Sequence, residues 1–204
     1  MIKTLYAFRH GETDWNKQQR FQGRVDIPLN ETGRQQALRL REFFKENPIE
    51  VMLSSDLGRA LETARIAIGE QEIPLVIEPR IRETNLGDVE GMTHEEIIQK
   101  MGREVIENWR SISAETQDSR FPGGESKAEH LARILAGLND FLKSTSYTRI
   151  GVSTHGGALR RFLHHIRPEQ TEGLMVGNCA LYEVKFDSAK GLWDVDLEAK
   201  CINP

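Results

Sequence analysis

Apolar residues occur in two kinds of run along this chain, short continuous ones and longer ones spaced three and four residues apart. Ile2 to Phe8 reads as a buried strand that stops abruptly at Arg9-His10-Gly11. Val51 to Ser54, Pro74 to Ile77 and Arg149 to Thr154 have the same character. Between them, Thr32-Gly33-Arg34-Gln35 has the spacing of a capping box, and Ala37, Leu38, Leu40, Phe43 and Phe44 follow on one face, predicting a helix that ends before Asn47-Pro48. Ser54-Ser55-Asp56 offers caps for a helix to about Ile68, with Arg59 in its first turn. Thr93-His94-Glu95-Glu96 starts a short helix towards Lys100, and Met101 to Gly124 reads as helix followed by loop. Ser126-Lys127-Ala128-Glu129 opens the clearest helix, whose stripe is Leu131, Ile134, Leu135, Leu138, Phe141 and Leu142. Ala158 to about Ile166 gives one more, and Ala180 to Phe186 with Leu192 to Leu197 alternate around Asp187 to Gly191 as a hairpin.

Strands alternating with helices predict an α/β fold in three layers, α/β/α, with a largely parallel central sheet and an antiparallel C-terminal addition. The polar stretch from Glu12 to Glu31 is long for a connection in a compact fold, which points to a working loop. Gly11 lets the backbone turn after His10 and leaves room for something to approach.

With 204 residues and 38% apolar content, the chain can bury one sizeable core, so a single domain over 1–204 is expected. A net charge of −4 with both signs interspersed gives no global field for nucleic acid or an acidic membrane, so an anion site has to be local. Cys179 and Cys201 are too few for a disulfide framework and read as packing residues; with no apolar leader and no bilayer-length run, a soluble cytoplasmic protein is expected. The terminal hairpin leaves an edge on which a homodimer could form.

Two of these strands end in His-Gly, at His10 and at His155. Adding Arg9, Arg59 and Glu83 gives one sheet edge two guanidinium groups, two imidazoles and an acid. Guanidinium pairs bidentately with phosphoryl oxygens and helix N-termini add donors, so phosphate is the expected anion. No cysteine cluster is present and His164-His165 lacks the i, i+4 spacing of two ligands on one helix face, so neither a metal nor a cofactor is expected.

Four blocks, Arg9-His10-Gly11-Glu12-Thr13 with Trp15-Asn16, Ser54 to Ala60 with Glu62-Thr63-Ala64, Arg82-Glu83, and Ser153-Thr154-His155-Gly156-Gly157, together resemble the histidine phosphatase superfamily, the phosphoglycerate mutase-like proteins. The resemblance implies that His10 takes the phosphoryl group as phosphohistidine. It further implies that Arg9, Arg59 and His155 hold the non-bridging oxygens, and that Glu83 protonates the leaving oxygen. Asn16, the backbone at Gln22-Gly23, and Gly156 match positions near the phosphate.

Elementary chemistry agrees, because imidazole attacks phosphorus only through an unprotonated nitrogen and nearby arginines disfavour the charged ring. An alkoxide leaves badly unless protonated, and Glu83 is the acid that the motifs offer. His94, His130, His164 and His165 read as structural or surface residues, and Glu12 and Glu125 as minor candidates for acid chemistry. Arg160 and Arg161 follow the second His-Gly and are within reach of substrate, but a solvated helix face is the preferred reading. The mutases' Arg-Tyr-Gly pattern after the acid is missing, since Glu83 is followed by Thr84-Asn85-Leu86-Gly87, and Pro122-Gly123-Gly124-Glu125-Ser126 resembles the phosphatase branch. The expectation is a metal-independent phosphomonoesterase acting on a small phosphorylated metabolite, its pocket capped by Glu12–Glu31 and Met101–Gly124. The alternatives are a cofactor-dependent phosphoglycerate mutase and a non-catalytic phosphate-binding module.

Overall fold

The computed structural model describes residues 1–200. Six strands form one sheet in the order β3-β2-β4-β1-β5-β6, where β1 is Ile2–Arg9, β2 Val51–Ser54, β3 Leu75–Ile77, β4 Arg149–Thr154, β5 Leu181–Asp187 and β6 Leu192–Lys200. The first four are parallel, and β5 and β6 add antiparallel. Period-2 alternation sorts β1 between two cores. Leu5 and Ala7 pack with Leu53, Val152, Leu138 and Phe162, while Tyr6 and Phe8 pack with Ala37, Leu40, Phe44 and Ala64. Helices α6 (Lys127–Ser144) and α7 (Gly156–Ile166) cover the first face; α2 (Glu31–Glu46) and α3 (Gly58–Ile68) cover the second. The expected three layers and mixed sheet are both present.

Two helix starts differ from expectation. Helix α2 is capped by Asn30, whose side chain accepts from Gly33 N, and not by Thr32. The cap before α3 is Leu57, with no side-chain bond of its own; Asp26 reaches in from the loop to accept from Gly58 N at 2.9 Å. The polar stretch holds a short helix, α1 (Asp14–Lys17), closed by a capping box between Thr13 and Asn16. The boxes at Thr93 and Ser126 form as their spacing predicts.

Gly11 has a packing reason. A Cβ there would lie 2.3 Å from Gly33 O, and a Cβ on Gly33 would lie 2.2 Å from Glu12 O. What approaches Gly11 is therefore the first turn of α2, backbone against backbone, which braces the residue after His10.

A third, smaller core of Leu86, Val89, Ile97, Ile106 and Phe121 lies under α4 (His94–Met101) and α5 (Arg103–Arg110), the excursion between β3 and α6. No helix among the described residues is long and apolar enough to cross a membrane. Cys179 is buried just before β5, and Cys201 lies outside the described residues.

Candidate active site

Register builds the centre of the site. Because β1 and β4 are parallel neighbours with Arg9 opposite Thr154, the next residues, His10 and His155, emerge side by side, their ring centroids 5.3 Å apart. Ser54 pairs with Ser153, so Ser55 follows at the same edge and its Oγ lies 2.8 Å from His155 Nε2.

The tautomer of His10 follows from its partners. Gly11 O lies 2.7 Å from Nδ1 and can only accept, so Nδ1 carries the proton. Arg59 Nε lies 3.2 Å from Nε2 and can only donate, so Nε2 bears the lone pair. Burial, then Arg59, then Arg9 hold the His10 pKa well below its ordinary value, and the ring is neutral at physiological pH.

Arg59 itself is fully buried, which the first turn of α3 permits only because every nitrogen is used: Nη2 donates to Gly23 O at 2.7 Å and Nη1 to Val25 O at 2.8 Å. The loop from Gly23 to Asp26 thus holds Arg59, and Arg59 holds the His10 lone pair. Arg9 donates through Nη1 to Val176 O at 2.7 Å, while its buried Nε has no hydrogen-bond partner among the described residues. His155 is completely buried, with Nδ1 unpartnered and its pKa driven well down by burial, Arg59 and His10.

Glu83 reaches the same place from the segment after β3. Its Oε1 accepts from Thr84 N at 2.9 Å and its Oε2 from Gly157 N at 2.8 Å. Gly157 is the position that permits this, since a Cβ there would stand 2.4 Å from Oε1. Gly157→Ala is therefore expected to push the carboxyl aside and lower turnover by about tenfold or more while the protein still folds. Turnover and the unfolding midpoint, measured together, check this; an alanine variant at full activity would show that the seat of Glu83 does not matter.

These groups open onto a cavity of about 740 Å³. Its floor is Arg9, His10, Arg59 and Glu83, with Gly156 and Gly157 at the N-terminus of α7. Gln22, Gly23 and Asn16 are on its wall, as expected for binding, but Asn16 Oδ1 is taken up by Thr13 N and Asn178 Nδ2. Gln22 is buried with its Oε1 unpartnered. His155 is not on the wall; it stands beside His10 among the groups that support it.

The two predicted capping segments do line the cavity, through residues 16–23 and through Trp109 and Arg110. Two further contributions had no sequence signal, Thr93 to Glu95 and the segment Leu174-Met175-Val176; a third is Arg160, whose place after the second His-Gly is its signal. Arg160 is not a solvated cation, because it sits on the cavity wall and its Nη2 donates to Arg110 O at 3.1 Å. Arg161 is largely buried as well, with its guanidinium 5.2 Å from the Trp109 ring, and burial takes its pKa down to about 10. His94 lies on the rim, where Arg110 Nη2 approaches its Nδ1 at 3.1 Å. Glu12 and Glu125 are not on the wall. Glu12 Oε1 accepts from Asn30, and Glu125 pairs with Arg133 and Arg24. Among the described residues no three His, Cys, Asp or Glu side chains gather as a metal site would need.

His10, His130 and His155 all have pKa values well below 6.5 through burial. Below 6.5 the unfolded chain takes up protons that the folded one refuses, so stability falls as pH drops through that value. Each such histidine contributes about 1.4 kcal/mol per pH unit in that window. The melting temperature is expected to fall between pH 7.5 and pH 5.5, before carboxylates titrate; a constant value would contradict the buried neutral rings.

Comparison with known proteins gives consistent matches. Residues 5–196 match the profile of the histidine phosphatase superfamily, branch 1. A probable phosphoglycerate mutase, GpmB, of Enterobacter sp. (strain 638) is 34% identical, over 95% of this chain and 91% of the relative. Phosphoglycerate mutase-like protein 4 of Arabidopsis thaliana is 36% identical over 80% of this chain and 71% of its own length. Among solved structures, Bacillus stearothermophilus YhfR superposes with a TM-score of 0.82 at 32% identity, covering 96% of each chain. A mycobacterial glucosyl-3-phosphoglycerate phosphatase in complex with VO3 also superposes with a TM-score of 0.82, at 26% identity over 95% of this chain and 97% of that one.

Proposed function

We propose, from the premise that this chain belongs to the histidine phosphatase superfamily (branch 1), that it is a phosphomonoesterase of a small organic phosphate working through a phosphohistidine on His10. The observation that carries this is the fixed tautomer of His10, with Nδ1 tied to Gly11 O and the lone pair of Nε2 turned towards a guanidinium on the cavity floor. Nε2 attacks phosphorus, the bond to the leaving oxygen breaks, and the Glu83 carboxyl gives that oxygen its proton. Arg9, Arg59 and the N-terminus of α7 carry the charge on the equatorial oxygens. Water then attacks the phosphohistidine, Glu83 takes its proton, and inorganic phosphate leaves.

No metal is needed in this scheme, since the arginines supply the positive charge. The leaving group meets a rim where Arg110 and Arg160 have no carboxylate partner among the described residues and Phe21, Trp109 and Leu174 add apolar wall, which suits a second anionic group on an organic frame. A mutase is the second reading, and the names of the GpmB relatives favour it. In that case a second hydroxyl, rather than water, collects the phosphoryl group.

A set of phosphomonoesters that includes 3-phosphoglycerate and 4-nitrophenyl phosphate separates the two, with phosphate release and isomerisation measured independently. Phosphate release that survives EDTA and is blocked by vanadate is the expected result. Isomerisation without net release would establish the mutase, and loss of activity with EDTA would overturn the metal-free scheme.

A further inference from the structure

Next to Glu83, two buried polar groups face each other: His130 on α6 is fully buried and Thr84 is 2% exposed. Thr84 Oγ1 lies 2.6 Å from His130 Nδ1, and His130 Nε2 lies 3.3 Å from Arg82 O. A carbonyl can only accept, so Nε2 carries the ring proton and Nδ1 the lone pair. The single hydroxyl proton of Thr84 is therefore spent on Nδ1. That hydroxyl also lies 3.5 Å from Glu83 Oε1, but with its one proton given to Nδ1 it has none left for Glu83. The backbone N–H of the same residue holds Oε1 at 2.9 Å. One helical turn along, Arg133 donates to Arg80 O, Arg82 O and Glu83 O, so a single face of α6 fixes the whole segment that carries the acid.

We propose that the buried His130–Thr84 pair positions the Glu83 carboxyl for proton donation, by locking residue 84 so that its N–H seats Oε1 and by turning the Thr84 hydroxyl proton away from Glu83. His130 does not line the cavity, and Thr84 borders it only through the 2% of its surface that is exposed. The inference rests on the phosphomonoesterase reading, because it assigns a role within the protonation step of that reaction.

A purely structural pair would affect all substrates alike, whereas a pair that positions the acid matters most where the leaving group needs a proton. Phenyl phosphate and 4-nitrophenyl phosphate occupy nearly the same space and differ in how readily the phenolate departs. Thr84→Val and His130→Phe are expected to lower kcat/KM for phenyl phosphate by about tenfold and for 4-nitrophenyl phosphate by no more than about threefold. Thr84→Ser keeps the hydroxyl and should restore the wild-type ratio of the two rates. The double variant should lose no more than the worse single one, because the two side chains act as one unit. Equal losses on both esters, or a serine variant as impaired as the valine one, would overturn the inference while leaving the phosphatase reading intact. Should His130→Phe fail to fold, the valine and serine pair at position 84 decides alone. A wild-type protein that turns over neither ester would overturn the phosphatase reading, and this inference with it.

Discussion

His10→Ala is expected to lower phosphoryl transfer by at least about 10⁴-fold, on every substrate and at every pH, because the proposed phosphohistidine cannot form without the imidazole. The loss should be the same for easy and difficult leaving groups, since no phosphoenzyme forms with either. The fold should survive. Besides its contact with the His155 ring, the imidazole makes two hydrogen bonds, one to Gly11 O and one with Arg59 Nε, and Arg59 keeps its bonds to Gly23 O and Val25 O when the ring is gone. Turnover of 4-nitrophenyl phosphate, an acid-labile protein-bound phosphate after rapid quenching, and the unfolding midpoint test the three parts together. Wild-type rates in the alanine variant would remove His10 as nucleophile.

Glu83→Gln is the second large effect, and it has two components that the leaving group separates. The amide has no acidic proton, which should cost about 10²- to 10⁴-fold on alkyl phosphates. It also replaces one of two accepting oxygens by an NH2 group, so either Thr84 N or Gly157 N loses its acceptor and the side chain shifts. That second component falls on all substrates, and it sets the smaller loss expected with 4-nitrophenyl phosphate, about tenfold. Plotting the loss against leaving-group basicity should give a slope; a flat line would mean that Glu83 does no acid chemistry.

Much of this arrangement could be read before any coordinates existed, and the reason is the sheet. Period and turn chemistry locate β1, β2 and β4, and parallel strands place their C-terminal ends on one edge, so Arg9, His10 and Arg59 converge from sequence logic alone. Glu83 lies in an irregular segment whose position periodicity cannot give; its motif suggested it, and the contact with Gly157 N is what fixes it. The features that escaped are those where a partner sits far along the chain. Asp26 capping α3, Arg160 turning inward to Arg110, and Leu174 to Val176 closing one wall each depend on contacts that leave no local pattern. His130 was unreadable for a related cause, because a lone histidine on an apolar helix face looks the same whether it fills space or aligns a neighbour.

The backbone seam between Gly11 and Gly33 has an outcome for how such a chain can diversify. A side chain at Gly11 would run into the backbone of Gly33, and one at Gly33 into the backbone of Glu12, so neither position takes a larger residue, whichever is altered first. A library randomised at both should yield almost exclusively the parental combination, although neither residue lines the cavity. Drift in the rim, where Met175 stands 88% exposed, meets no such barrier. New substrate preferences can therefore arise there while the backbone beside His10 stays clamped in place.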